Sequence, residues 1–362
     1  MTRKPSVLLT LSALLLLVSA LPALAQGEGP AEDEVLEGRV VGVSEDPSYQ
    51  RLEVLVTRGS LVGEKVAVDV GGDVIRVGEA EYAVGDELVI SHTKDFAGND
   101  VFYVTDFVRR APLQWLFLVF VLLVAAVGRW RGLSSLLGMG LSFLVIFKFI
   151  LPQIMAGRDP VLIAILGSLL IIPLTFYLSH GLSRKTTLAV VGTLVSLMVT
   201  GLMAKYFIVA ARLTGFASEE AGFLQVIKPG LVNIKGLVLA GVIIGVLGVL
   251  DDITVAQAAV VEQLRQSNPL LSAKEIFFRA MRVGQDHIAS MVNTLILVYT
   301  GASLPLLLLF VDNHQPFSEL VNYEMIAEEV IRALVGSIGL VLAVPLTTFL
   351  ASFFGPLAKR NN

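Results

Sequence analysis

Apolar and polar residues along this chain follow two different patterns, one before residue 110 and one after it. Residues 36–108 alternate apolar and polar positions in short runs, as in Leu52, Val54 and Val56, and turn-forming residues separate the runs. A period of two is typical of half-buried β-strands, so the segment predicts about five or six strands. So many strands in such a short segment favour a small all-β barrel of the OB or SH3-like kind.

After residue 110 the apolar residues come in long runs. Each run approaches the ~20 residues that an α-helix needs to cross the ~30 Å hydrocarbon core of a bilayer. We predict about seven transmembrane helices, at residues 113–130, 133–151, 161–179, 187–210, 234–254, 284–310 and 328–354. Composition agrees, because 55% of residues are hydrophobic and the mean hydropathy is +0.77. A polytopic α-helical membrane protein with an N-terminal all-β domain is therefore expected.

The first 25 residues carry the features of an export signal. Arg3 and Lys4 precede an apolar stretch, and Ala23-Leu24-Ala25 has the small-x-small pattern that a signal peptidase cleaves. The alternative is an uncleaved anchor helix, and either interpretation sends the next segment outside. The predicted domains are a signal peptide (1–25), an exported acidic β-domain (26–110), a helical transmembrane domain (111–356) and a cytoplasmic tail (357–362).

Charge separates the two main parts of the chain. Residues 26–110 contain 18 acidic and 8 basic side chains, whereas residues 111–362 contain 13 and 17. The acidic domain repels phosphate chains, so we expect no nucleic-acid partner and instead a role in packing on the membrane body or binding a protein. The chain has no cysteine, which excludes disulfides, thiolate metal sites and a thiol nucleophile.

Basic residues also indicate the orientation in the plasma membrane. Ten of them lie in connections predicted to be cytoplasmic, and five lie in connections predicted to be outside. The positive-inside rule therefore places the β-domain outside the cell and the C-terminus inside.

The fifth predicted span combines small residues with two carboxylates. Gly241, Gly245, Gly248 and Asp252 are spaced by four, three and four residues, so they share one helical face. Small residues at this spacing let another helix approach closely, which predicts a packing face. Asp251 lies about 100° further round the same helix.

A matching polar stripe lies in the sixth predicted span. Asp286, Ser290 and Asn293 share one face, and His287 flanks it. Because the fifth span runs inward and the sixth outward, we predict that both clusters meet at the cytoplasmic end as a substrate, ion or proton site. The alternative is that these groups only hydrogen-bond helices together. Carboxylate and imidazole ligands suit a divalent ion, so metal binding is left open, and no cofactor is predicted.

Several runs of the sequence resemble one bacterial family. They are residues 180–185, 245–256, 283–288, 293–301 and 336–347, within a likeness that extends from about residue 113 to 354. They resemble the YibE/F-like membrane proteins. This resemblance implies a polytopic plasma-membrane protein, and it implies no particular biochemical activity.

Enzyme motifs are missing from the sequence. The four histidines form no His-Glu-x-x-His motif, and there is no P-loop. We therefore predict a non-enzymatic permease or secondary transporter, whose partners are the bilayer and a small ion or proton. The alternative is a non-transporting scaffold or sensor whose outer β-domain binds a partner. The sequence leaves homo-oligomerisation open.

Overall fold

The computed structural model describes residues 34–46, 49–71, 81–95, 98–311 and 316–355. The predicted signal peptide and the whole of the predicted cytoplasmic tail lie outside these ranges. The chain divides into two compact units, with one boundary between Val127 and Gly128.

The segment before residue 110 forms an antiparallel β-sheet, as its period-two pattern predicts. Its strands are β1 Glu34–Asp46, β2 Tyr49–Arg58, β3 Lys65–Gly71, β4 Glu87–Lys94 and β5 Asp100–Phe107. They pair in the order β3-β2-β1-β4-β5, with the long β1 at the centre. Alternate residues of strands β1 to β4, such as Leu52, Val54 and Val56, are buried on one face and form the core of the domain, and β5 adds partly buried side chains to it. The all-β prediction is therefore confirmed.

The predicted closure of this sheet into a barrel is not confirmed. Strands β3 and β5 stand at the two ends of the strand order and approach each other. Within the described ranges, however, they share no ladder of hydrogen bonds. The sheet is a half-barrel, and assignment to the OB or SH3-like kind stays a prediction.

Helices make up the rest of the described chain. They are α1 Arg110–Val145, α2 Leu151–Met155, α3 Pro160–His180, α4 Arg184–Ala210, α5 Glu219–Ile227, α6 Ile234–Ser267, α7 Ala273–Ala302, α8 Leu304–Val311, α9 Phe317–Leu320 and α10 Glu324–Phe354. A π-helical turn, Ile146–Ile150, joins α1 to α2. Polar caps start several helices, because a side-chain oxygen accepts a backbone N–H that the first turn leaves free. Asp159, Ser183, Asn233 and Ser272 act in this way for α3, α4, α6 and α7.

The predicted count of seven spans is not confirmed. In the described part of the chain, five helical stretches are long and apolar enough to cross a membrane: 110–155, α3, α4, α6 and α10. The first two predicted spans fall in the stretch 110–155, which leaves helical geometry at Arg129 with φ 51° and ψ −133°. The sixth predicted span begins in α7, whose polar stripe lowers its hydropathy.

The bundle is built around α6 and α10. Helix α10 packs against α4, α6 and α7, and α6 also packs against α3 and α4. The tightest contact joins α4 to α10, where small residues recur every fourth position. The two rows are Gly192, Ser196 and Thr200 on α4, and Gly339, Ala343 and Thr347 on α10. A methyl group at Gly339 would lie 2.4 Å from the Thr200 Oγ1, so these two backbones approach as closely as their side chains allow.

The glycine face predicted on α6 packs differently. A methyl group at Gly241 or Gly248 would meet no described atom within 4 Å, and one at Gly245 would meet only the Tyr299 hydroxyl, at 3.9 Å. The close helix contact predicted at these three glycines is therefore not formed within the described chain. The small-residue seam between α4 and α10 has that role instead.

Candidate functional site

A polar cavity of about 390 Å³ lies beside the middle of α6. The part of α1 after Arg129, the C-terminal end of α3, and α6 each contribute to its wall. Its lining residues are Arg131, Ser135, Thr175, Ser179, His180, Gly248, Asp251, Asp252, Val255 and Ala256. Two carboxylates, one imidazole and one guanidinium thus share a single space within a bundle of apolar helices.

Helix α6 presents the two carboxylates to this cavity. Asp251 is half-buried and Asp252 is exposed, and no described residue donates a hydrogen bond or forms an ion pair with either carboxylate. Behind them, the buried hydroxyls of Thr254 and Thr193 are 2.7 Å apart and join α6 to α4. The helix is therefore held from its core side, and its carboxylates remain available to a ligand.

The end of α3 contributes the imidazole. His180 is the last residue of the helix, and Gly181 follows it with φ 78°, a left-handed conformation that ends the helix. The terminal carbonyl groups of a helix carry partial negative charge, which favours a cation near them. The basic-residue pattern predicts that this end of α3 is cytoplasmic.

Arg131 supplies the positive charge in the lining. It follows the break at Arg129, and its backbone carbonyl accepts a hydrogen bond of 2.9 Å from the Ser134 hydroxyl. Its guanidinium forms no ion pair with Asp251 or Asp252 in the described structure. The carboxylates are therefore near a fixed cation without being neutralised by a direct contact.

The predicted residues on α7 lie elsewhere. Asp286, Ser290 and Asn293 are exposed, His287 is half-buried, and the described lining of the cavity contains none of the four. The structure thus brings Asp251 and Asp252 together with α1 and α3, and it does not place them in this cavity with the α7 residues. The site predicted to be shared between α6 and α7 stays a prediction.

The face that α7 turns toward its neighbours explains this placement. The Gln257 side-chain amide donates a 2.9 Å hydrogen bond to the Ala280 carbonyl. A methyl group at Gly284 would lie 2.5 Å from Val344 and 3.1 Å from Gln257. Since Asp286 lies about 200° round the helix from Gly284, it points away from α6 and α10.

Sequence reasoning missed the α1 and α3 side of the cavity. None of Arg131, Ser135, Thr175 and Ser179 was predicted as a site residue, and Arg131 counted only toward the basic residues of the cytoplasmic connections. His180 entered only as one of the four histidines and in the run 180–185 that resembles the family. That run was the available signal, although no spacing rule connects it to Asp251. Among the described residues no group of three or more His, Asp or Glu side chains could hold a metal ion.

Helix α6 extends past the cavity to a polar end. Lys185 on α4 forms an ion pair of 2.8 Å with Glu262. Arg265 donates to the Gly355 carbonyl at 2.8 Å and to the Ser352 carbonyl, both at the end of α10. Helix α6 therefore continues well past its predicted end at residue 254, and charged contacts hold this end of α4, α6 and α10 together.

Long apolar helices around a polar cavity define the class as a multi-pass α-helical membrane protein. Residues 116–356 match the YibE/F-like protein family. Because the match covers more than half of the chain, this protein belongs to the YibE/F-like family. No match to the chain was found among curated proteins or among solved structures.

Proposed function

We propose that this protein is a secondary transporter that moves protons or a small cation through the cavity at Asp251 and Asp252. The observation that carries the proposal is the pair of adjacent carboxylates, which face the cavity without a hydrogen-bond or ion-pair partner among the described residues. Ionisable groups within membrane helices are costly, and they are typical of ion pathways and proton relays.

Two carboxylates held side by side favour uptake of a positive charge, because each negative group disfavours ionisation of the other. A proton or a monovalent cation would relieve this repulsion. The cavity is wide enough for a hydrated ion, since one water molecule occupies ~30 Å³ of liquid. The absence of a three-ligand cluster among the described residues favours a weakly bound, exchanging ion over a tightly chelated metal.

The other two charged groups of the cavity, His180 and Arg131, would control how protons or cations enter and leave it. An imidazole ring both accepts and donates a proton, so His180 would pass protons between the cavity and the cytoplasm. Arg131 supplies a permanent positive charge that competes with a bound cation. Such competition keeps binding reversible, which a transporter requires.

The test is transport by the purified full-length protein in liposomes, with a pH-sensitive dye inside and imposed gradients of protons, Na⁺ or K⁺. We expect wild-type protein to dissipate one of these gradients. Asp252→Asn and Asp251→Asn should each lower the initial rate about tenfold or more, because the amide keeps the size and loses the charge. Glu220→Gln on α5 is the control, because Glu220 is exposed and lies outside the cavity lining, and it should retain the rate.

The same assay separates the cavity from the site predicted to be shared with α7. If Asp286 belongs to that site, Asp286→Asn should lower transport as much as Asp252→Asn does. If transport depends on the cavity alone, Asp286→Asn should transport at a rate close to wild type. Absence of transport by wild-type protein under every gradient would reject the proposal and favour the scaffold or sensor interpretation.

A further inference from the structure

Helix α7 has a stripe of exposed residues along one side. The stripe contains Arg282, Asp286, Ser290, Asn293 and Leu297, which are separated by four, four, three and four residues. All five residues are exposed, and Leu297 keeps 60% of its surface accessible. Alternating steps of four and three are the spacing with which two helices pack along a seam.

The depth of this stripe makes its exposure costly. Ala280 contacts Gln257, and Tyr299 lies 3.9 Å from a methyl group built at Gly245, so α7 runs antiparallel beside the membrane-crossing part of α6. Asn293 therefore lies at the depth of apolar residues of α6. Hydrocarbon offers an amide no hydrogen-bond partner, so this face requires a polar surface against it.

We propose that the stripe on α7 pairs with the same stripe of a second copy of this chain. Copies insert into a membrane with the same orientation, so a two-fold axis along the membrane normal makes the two α7 helices parallel. Residues at equal depth then meet across the axis. Because an amide both donates and accepts hydrogen bonds, the two Asn293 side chains can bond to each other.

Charge complementarity favours a second copy as the occupant. Arg282 and Asp286 are one turn apart on the stripe, and the described structure contains no ion pair between them. A basic residue preceding an acidic one by four positions is the weaker order within a helix. Across a parallel pair, each guanidinium can instead reach the carboxylate of the other copy, which forms two equivalent ion pairs.

The chain contains no cysteine, so single-cysteine variants of the full protein can be cross-linked without background. Under mild oxidation in native membranes, Ser290→Cys and Leu297→Cys should form disulfide-linked species with the mass of two chains. The control is Leu170→Cys on α3, which is 51% exposed and lies outside the stripe, and it should stay monomeric. Size-exclusion profiles in detergent verify that each variant is folded.

Three outcomes would overturn the proposal. In the first, Ser290→Cys and Leu297→Cys are folded and do not cross-link. In the second, Leu170→Cys cross-links equally well, which indicates random collision. In the third, the mass of the cross-linked species fits a different protein. Charge reversal gives a second measurement in the Leu297→Cys background. Asp286→Arg should lower the cross-linked yield about tenfold, because it sets like charges against each other. Adding Arg282→Asp should restore the yield. If the double variant cross-links as poorly as Asp286→Arg alone, the ion pair between Arg282 of one copy and Asp286 of the other is rejected.

Discussion

Asp251 and Asp252 differ in exposure although they are neighbours in sequence. Successive residues of a helix are rotated by about 100°, so only one of the two can point along the glycine face. Asp252 is exposed on that face, and Asp251 is half-buried toward the helices that enclose the cavity. A ligand held by both carboxylates would therefore lie between an open side and an enclosed side of the same cavity.

In the β-domain, Glu34 also has a role that depends on its charge. Its carboxylate accepts hydrogen bonds from the Ser60 hydroxyl at 2.5 Å and from the Ser60 backbone N–H at 2.8 Å. These bonds lower the pKa of Glu34 below its ordinary value of 4.5, although the residue is only half-buried. They join the start of β1 to the turn after β2.

We predict that this contact stabilises the β-domain near neutral pH and is lost in acid. A lowered folded-state pKa contributes stability above the unfolded pKa, and that contribution disappears as the pH falls through the folded value. Hydrogen exchange of residues 34–60 should be faster in Glu34→Gln than in wild type at pH 7, and the difference should shrink progressively as the pH falls below 4.5. Glu64→Gln, an exposed change in the same domain, is the control. A difference that persists unchanged in acid would contradict the role of the charge.

At the scale of whole elements, two glycine faces have opposite surroundings. Gly339 on α10 lies so close to Thr200 that a methyl group added to the glycine would overlap with it. Gly241 on α6 has no described atom within 4 Å of the same position. Both lie in rows of small residues, so spacing alone does not distinguish them. The distinction comes from which helix lies opposite each row.

We predict that Gly339→Ala destabilises the bundle and Gly241→Ala does not. The added methyl group at Gly339 would lie 2.4 Å from Thr200 Oγ1 and 2.9 Å from its Cγ2, and overpacking of this kind costs about 1–3 kcal/mol. Thermal melting in detergent, followed by fluorescence-detected size exclusion, should show a lower midpoint for Gly339→Ala only. An equal loss for Gly241→Ala would mean that a further helix covers the α6 face.

For the whole molecule, the number of membrane crossings depends on α1 and α7. Helix α1 is kinked at Arg129, where the backbone leaves helical geometry, and α7 carries polar residues along one side. The first two predicted spans form one continuous helical stretch, 110–155, and α7 is not among the five stretches that are apolar enough to cross a membrane. Only the location of the connecting residues decides whether each segment crosses.

We predict that reporters fused after Leu61 and after Asn322 lie outside the cell, and that reporters after Arg129 and after Leu270 lie inside. The physical reason is the excess of basic residues in the connections near Arg129 and Leu270. Alkaline phosphatase and green fluorescent protein fusions at the four positions provide the measurement. If Leu270 and Asn322 report the same side, then α7 does not cross the membrane.

The sequence by itself determined the features that depend on local pattern. Alternation of apolar residues predicted the strands, and long apolar runs predicted the membrane helices, because burial of a strand or helix face is set by residues close in sequence. Boundaries were less certain at α1 and α7, where polar side chains interrupt the apolar runs.

The tertiary structure alone decided which faces meet. Helical spacing shows that Gly248 and Asp252 share a face, but it does not reveal the neighbour, so the predicted partner was α7 and the structure places α1 and α3 at the cavity. His180 and Asp251 are some 70 residues apart in sequence, and only the packing of α3 on α6 brings them into one space. Rotation of each helix about its axis is fixed by contacts between helices, and the spacing of residues within one helix does not identify the helix that it contacts.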